Sequence, residues 1–555
     1  MYFICLSTLF YTILTSLMIS LYYTLLEQKL YIVEWNLYLF NFIPELKFYM
    51  YFDYMSNLFM LVITLISASV FMYSKHYMAS DKNKVKFLIL TFIFILSMYM
   101  IVINLNFFII LMGWDGLGVS SYFLVLHYQT STSKYSGLVT IMTNRMGDIT
   151  MIFCMFFLLN MNTFDLMTIN NITKFNNIIL LLLVSSVFTK SAQFPFSVWL
   201  PLAMAAPTPI SSLVHSSTLV TAGIYLLIRF NKMFTLNNNF MLNIILMSCL
   251  TSILAGLSAL AELDIKKIIA FSTLSQLSLM LIIMFLGKEM LCFFHILTHA
   301  LFKALLFLCS GVFIHETLDN QDLRNFPKIM KYNLYTQNMF LICSLSLAGF
   351  PFLSGFYSKD LILELIYSMN HNIYFFFMMI ISTLLTGFYS LRMMKFSMMM
   401  KESNFKMIYY NNWAPINNSM FWMFMMVLFS GAMLNWILME KLNYSYLNFK
   451  MKMINLTLCL LSMLLYNLVS INFNNKFYTL FLKMFFMTSL QGKSMNILNK
   501  NLIYFNSHSE KIIEMILMTN FTKSIISLNN MMFWMKFFFY LFIFLFSTIL
   551  IIFIF

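Results

Sequence analysis

His295, His299 and Lys303 recur at every fourth position of one apolar stretch, the spacing that lines side chains along a single helix face. Imidazoles and an amine placed this way could pass protons along that face. His295 and His299 could also share a metal ion. Against that, Ile296, Leu297 and Thr298 supply no glutamate between them, and Lys303 would repel a cation. His215 opens a second polar face beside Ser211, Ser212, Ser216 and Thr218. A lone buried histidine is more often a satisfied core residue than a relay, and the three aligned groups shift that balance.

Further ionisable residues sit inside apolar stretches: Asp115, Arg145, Asp148, Lys190, Lys359, Asp360 and Glu364. At the centre of a membrane-spanning helix each charge costs at least about 2.5 to 3.5 kcal/mol, so function is the first reading and structural pairing the second. Arg145 and Asp148, three residues apart, can pair either for structure or to keep Asp148 ionised. Lys190 precedes Pro195 too deep in its stretch to reach the interface easily. Burial disfavours an ammonium and a nearby carboxylate favours it, so a change in that carboxylate's influence would load or unload the proton. Asp115 lies in Gly113-Trp114-Asp115-Gly116-Leu117-Gly118 and needs a partner from another helix. Those glycines have neither the preceding strand nor the spacing of a dinucleotide loop.

The elements that position these residues must be membrane helices. Of 555 residues 61% are hydrophobic and 10% charged, and mean hydropathy is +0.82, whereas a soluble domain carries about 25% charged residues. Fifteen apolar runs are predicted as helices, from 3–25 through 54–74, 85–104, 107–127, 137–160, 178–194 and 209–230 to 536–555. The first lacks a basic leader and an A-x-A-like cleavage site and reads as a retained span. The net charge of +14 reports orientation under the positive-inside rule, and no basic-aromatic nucleic-acid patch is visible. Lys75, Lys82, Lys84, Lys86, Lys134, Arg324, Lys328 and Lys331 then fall on one side, taken as matrix or cytoplasm.

Pro195, Pro201, Pro207 and Pro209 cluster, and Pro351 interrupts another run, which predicts two broken helices, each with a lysine nearby. Pro44, Pro327 and Pro415 are expected in loops. The seven cysteines lie inside apolar runs without a C-x-x-C pair, so neither zinc nor iron–sulfur ligation is expected. No P-loop, nucleophile elbow or cofactor fingerprint appears. The 63 Phe and 51 Met suggest an AT-rich organellar coding sequence.

Several segments together resemble the antiporter-like membrane subunits of respiratory complex I. They are Gly113-Trp114-Asp115-Gly116, Asn144-Arg145-Met146-Gly147-Asp148, Lys190-Ser191-Ala192-Gln193, Ala206 to Thr218, Asp264-Ile265-Lys266-Lys267, His295 to Phe307, and Gly355 to Asp360. The resemblance is strong over about 50–400 and rests on layout beyond. It implies an all-α polytopic fold of about 15 transmembrane helices, with two inverted five-helix repeats and a long lateral amphipathic helix. On that basis the chain divides into N-terminal helices (1–106), a first repeat (107–230), a second (241–395), C-terminal helices (396–472), the lateral helix (473–535) and a terminal anchor (536–555). By the same resemblance Asp115 pairs with Lys190, and His215 begins a polar axis that His295, His299 and Lys303 extend. Lys359 delivers protons to the exit, and Arg145 with Asp148 forms another functional pair.

The resemblance also implies a proton-translocating part of an NADH:ubiquinone reductase in the mitochondrial inner membrane, with no redox chemistry of its own. FMN, iron–sulfur clusters and ubiquinone would sit in partner subunits, a neighbouring antiporter-like subunit and lipids would pack alongside, and this chain would hold no cofactor and no metal. Two departures stand out. Asp115 replaces the family's usual glutamate, which predicts a longer or water-bridged contact with Lys190, and one span rather than two precedes Trp35. The rival readings are a stand-alone cation/proton antiporter subunit and a scaffold with fossil charges.

Overall fold

A computed structural model describes residues 2–27, 31–36, 47–160, 177–234, 238–317, 319–325, 333–368, 373–399, 414–438 and 449–468, with positions 481 and 484. The predicted lateral helix, but for those last two positions, and the terminal anchor lie outside the described residues, as do Pro44, Pro327, Lys328 and Lys331. The described elements are α1 (Tyr2–Glu27), β1 (Tyr31–Asn36), β2 (Lys47–Phe52), α2 (Tyr54–Tyr77), α3 (Lys84–Ile103), α4 (Phe107–Val125), α5 (Ser131–Asn160) and α6 (Asn177–Lys190). They continue as α7 (Leu219–Arg229), α8 (Asn238–Ala261), α9 (Ile265–Phe285), α10 (Glu289–Glu316), α11 (Leu334–Ala348), α12 (Ser354–Ser368), α13 (Ile373–Met399), α14 (Ala414–Leu438) and α15 (Phe449–Leu468). Among the described residues, eleven helical stretches are long and apolar enough to cross a membrane.

Burial inverts the soluble pattern. Leu138, Ile149, Phe153 and Phe156 of α5 point outward, while Lys190, Ser272, His299 and Lys303 are fully enclosed. Lipid solvates the apolar exterior, so the polar groups collect where other helices can satisfy them. The central windows of α9 and α10 are wholly buried, and those of α1 and α14 only one-third buried. The axis carrying His295, His299 and Lys303 is thus the core of the bundle.

Three expectations change. Strands β1 and β2 pair antiparallel from Tyr31↔Phe52 to Asn36↔Lys47, so the architecture is helical with one small ribbon among the described residues. Tyr31-Ile32-Val33 and Phe48-Tyr49-Met50-Tyr51 favour strands and are too short to span, and Met50 bridges to Asn104 at the end of α3. Pro415, expected in a loop, lies in the first turn of α14, where a missing N–H costs nothing. The stretch 208–218 is also no plain helix. After Pro207 and Pro209 it winds as a π-helix over Ser211–Thr218 before α7 continues. The break at Pro351 is as predicted, with Gly349 in the left-handed conformation closing α11 (φ 87°) and α12 starting at Ser354.

An ion pair fastens the end of α7 to the start of α2. Arg229 donates to both carboxylate oxygens of Asp53, at 2.6 and 2.8 Å, and its Nε donates to the Tyr225 hydroxyl at 2.9 Å. Asp53 also caps α2 through the Ser56 N–H, and the Tyr225 hydroxyl donates to the Val102 carbonyl. Burial pushes the Asp53 carboxyl up, and the Arg229 guanidinium more than reverses this, holding it below the ordinary carboxylate value. A depressed carboxyl contributes stability above the unfolded value of about 3.9 and loses it as pH falls through the lower folded value. Asp53→Ala is expected to cost about 3 to 5 kcal/mol at neutral pH, because it strands a buried guanidinium. Thermal denaturation of the solubilised assembly should show that loss at pH 7, with the gap to wild type closing only in strong acid. A variant as stable as wild type at pH 7 would remove the pair from the stability argument.

Candidate functional site

Lys190 ends α6, where the chain leaves the helix through Ser191–Val198. Two carbonyls freed there are taken up by Ser191 N–H on Val187 and Gln193 N–H on Phe188, and the Trp199 indole caps Thr189 at 2.8 Å. Lys190 is fully buried, and its Nζ donates to the carbonyl of Trp114 in α4 at 3.2 Å, 5.1 Å from that residue's ring centre. A Cβ on Gly118 would stand 3.2 Å from this Nζ, so the bare α4 backbone makes room for it.

Asp115, Arg145 and Asp148 gather beside it. Arg145 lies 3.2 Å from Asp148 and 3.9 Å from Asp115. The expected Asp115–Lys190 contact is not a direct one: within 4.0 Å, Lys190 has no carboxylate partner among the described residues. Asp115 Oδ1 instead lies 3.9 Å from Arg145 without a hydrogen-bond partner among the described residues, and Asp148 and Asp115 both stay beyond 4.0 Å of the Lys190 amine. The four residues picked out from the sequence are therefore brought together, with Arg145 shared between two carboxylates.

The second group is built on α9, α10 and α12. His295 Nδ1 is 2.9 Å from the Ser358 hydroxyl and its Nε2 is 3.3 Å from Gln276 Oε1. The His299 ring lies 6.1 Å further along the same face, tilted by 50° to that of His295, and has no hydrogen-bond partner among the described residues. Lys303 Nζ donates to the Ser272 hydroxyl. Lys359 reaches back across the broken helix to the Leu347 and Ala348 carbonyls at 3.3 and 3.4 Å, and donates to Thr386 Oγ1 at 2.9 Å. A cation at the carbonyl end of α11 sits where the helix dipole favours it. Beside it a cavity of about 30 Å³, lined by Asp360, Thr383, Asn455 and Cys459, has room for water. Asp360 accepts from Asn455 Nδ2 at 2.7 Å, and Glu364 lies one turn on, half-buried.

His215 makes no hydrogen bond to either group. It is buried in the π-helical turn, its ring 6.1 Å from Trp199, and neither ring nitrogen has a partner among the described residues. A π-turn widens the helix and shifts later side chains out of α-helical register, and such turns occur disproportionately at functional sites.

Sequence reading missed the neutral residues that hold the ions, namely Ser272, Gln276, Thr386 and, as a ligand, Ser358. Their types carry no spacing signal. It also gave Lys266 no role, although this buried lysine donates to the Ala206 carbonyl at 3.2 Å. The neighbouring Pro207 and Pro209 were the available hint, since prolines leave carbonyls in search of donors.

Two broken helices, each beside a buried lysine, joined by a wholly buried helix of imidazoles and a third lysine, define an antiporter-like, multi-pass membrane protein. Residues 104–386 match the family described as NADH:quinone oxidoreductase/Mrp antiporter, TM, and residues 43–88 match NADH-Ubiquinone oxidoreductase (complex I), chain 5 N-terminus. The chain belongs to the NADH-ubiquinone oxidoreductase chain 5 family. It is 42% identical to that chain of Anopheles quadrimaculatus over 81% of its own length and 79% of the relative's, and 45% identical to that of Locusta migratoria over 70% and 68%. Against the Mus musculus chain it is 42% identical over 64% and 59%. The fold is shared with a chain of the Mrp complex from Dietzia sp. (TM-score 0.69, 21% identity, 88% of this chain and 58% of that one). It is likewise shared with a chain of the membrane-bound sulfane sulfur reductase, an archaeal respiratory membrane complex (TM-score 0.69, 20% identity, 79% and 90%).

Proposed function

We propose that this chain is a proton-translocating membrane-arm subunit of respiratory complex I in the mitochondrial inner membrane. It would work among other complex I subunits and beside a neighbouring antiporter-like subunit. NADH oxidation and ubiquinone reduction, with FMN and iron–sulfur clusters, belong to those partners. The observation that carries the reading is common to Lys190, Lys303 and Lys359: each is enclosed in the bundle on carbonyl or hydroxyl oxygens and, among the described residues, on no carboxylate. Neutral oxygens accept a hydrogen bond from an amine whether or not it carries the extra proton, so such a site can be emptied and refilled.

In this reading Asp148, Asp115 and Arg145 set the charge felt by Lys190. His215 links Lys190 to His299, His295 and Lys303, and Lys359 passes the proton towards the exit by way of the cavity at Asp360. The two broken helices head two inverted repeats, within about 15 spans. Each proton moved against the membrane potential costs about 2.3 kcal/mol per 100 mV, so the energy must come from the partners' redox chemistry.

Gentle solubilisation of the native membrane, size separation, an NADH-oxidation stain and mass spectrometry of the stained band test the assignment. The chain is expected in a very large NADH-oxidising assembly. Recovery in a small, NADH-inactive complex with sodium-dependent transport would establish the antiporter reading instead. Normal pumping stoichiometry after neutralising Lys190, Lys303 and Lys359 together would leave only the scaffold.

A further inference from the structure

Glu316 has no part in the path described so far. It is the last residue of α10, at the edge of the bundle opposite Asp53, and is 4% exposed. Among the described residues neither carboxylate oxygen has a hydrogen-bond partner and no basic side chain pairs with it. The groups facing it are Tyr73 from α2 and the neutral Asn333 at the start of α11, with His315 next to it in the chain; Tyr77 and Cys309 lie around Tyr73, and Asp81 and Asp319 around Tyr77. The Asn333 amide acts on the carboxylate without closing a hydrogen bond.

A buried, unpaired carboxylate is costly, and the carbonyl end of a helix makes a negative charge there less favourable still. One proton relieves both. The groups around it could pass that proton on. Tyr77, half-buried at the edge, stacks 5.5 Å from Tyr73 and lies 5.8 Å from the His315 ring. Further in, the Tyr73 hydroxyl and Thr208 Oγ1 converge on α10, each 2.5 Å from where a Cβ on Gly311 would stand, and neither has a hydrogen-bond partner among the described residues. Thr208 opens the segment that carries Ser211, Ser212 and His215, and that segment packs along α10.

We propose that Glu316 is a proton-binding site at the mouth of a route through Tyr73 and Thr208 to His215. The carboxylate takes a proton from the bundle edge, becomes a neutral acid, and releases the same proton inward. The inference rests on the proton-translocation reading and adds to it a named point of uptake or release.

The test uses the assembled complex in its membrane. A hydrophobic carbodiimide reacts with buried carboxyls only while they are protonated, and mass spectrometry locates the adduct. Glu316 is expected to be labelled, with a yield that falls as pH rises. In the Glu316→Gln complex a protonated-carboxyl infrared band should vanish and pumping should drop several-fold, and Glu316→Asp should restore part of it. Absence of the adduct across the pH range, or normal pumping by the Glu316→Gln complex, would overturn the proposal. The labelling arm needs no variant to fold. If Glu316 stays unlabelled while Lys190→Met abolishes pumping, this inference falls and the functional reading stands. If Lys190→Met pumps normally, that reading falls and takes the inference with it.

Discussion

Replacing Lys190 with arginine is expected to stop proton pumping as completely as replacing it with methionine or alanine. A guanidinium stays charged at every physiological pH, whereas an amine can give its proton up. If Lys190 served only as a fixed positive charge for Asp148 and Asp115, arginine would largely rescue it. If it is loaded and unloaded in each cycle, arginine fails. The expected loss in coupled turnover is about 10²-fold, the lower range for a positioned acid–base group. Proton uptake per NADH oxidised, measured in vesicles containing the assembled complex, reads it out, and substantial pumping by Lys190→Arg would exclude a protonation cycle at this residue. Lys190→Met, close to lysine in length and without its charge, is the baseline, and Lys190→Arg made together with a check that the complex assembles in normal amount separates crowding at Gly118 from loss of the proton cycle.

Gly355→Ala is expected to prevent accumulation of the assembled complex. A Cβ at Gly355 would stand 1.9 Å from the Ser346 carbonyl oxygen and 2.8 Å from its carbon, both backbone atoms of α11. No side-chain rotation relieves that contact. The two halves of the broken helix would have to part, pulling Lys359 from the Leu347 and Ala348 carbonyls and Ser358 from His295. Overpacking of a rigid contact costs about 1 to 3 kcal/mol or more, and here it also strands a buried cation. Gly287→Ala is the contrast, because nothing lies within 4 Å of its Cβ position and only its φ of 78° is strained, a cost of about 1 kcal/mol. Native electrophoresis of membranes should show the complex lost in Gly355→Ala and retained in Gly287→Ala. Equal amounts in both would mean that the α11–α12 junction yields more than its geometry implies.

Most of what the sequence determined follows from the membrane itself. Lipid demands long apolar helices, so composition and run length were enough to place α2 at 54–77 against an expected 54–74, and α10 at 289–316 against an expected 290–313. The cost of charge in that setting singled out Lys190, His295, His299, Lys303 and Lys359, and the structure encloses every one of them. Helical spacing likewise foretold that Arg145 and Asp148 pair, and the prolines foretold both breaks.

Partners across the bundle were decided by tertiary structure alone. Which carboxylate faces Lys190 depends on how α4, α5 and α6 dock. Here Arg145 lies between the two acids and Lys190 rests on a backbone oxygen. Ser272, Gln276, Ser358 and Thr386 could not be told from dozens of other polar residues until folding set them against the ions. The ribbon of 31–36 and 47–52, the π-turn around His215, and the enclosure of Glu316 at the end of α10 belong to the same class. Each depends on contacts between residues far apart in the chain, and local periodicity records which way a side chain points along its own helix, never what it meets there.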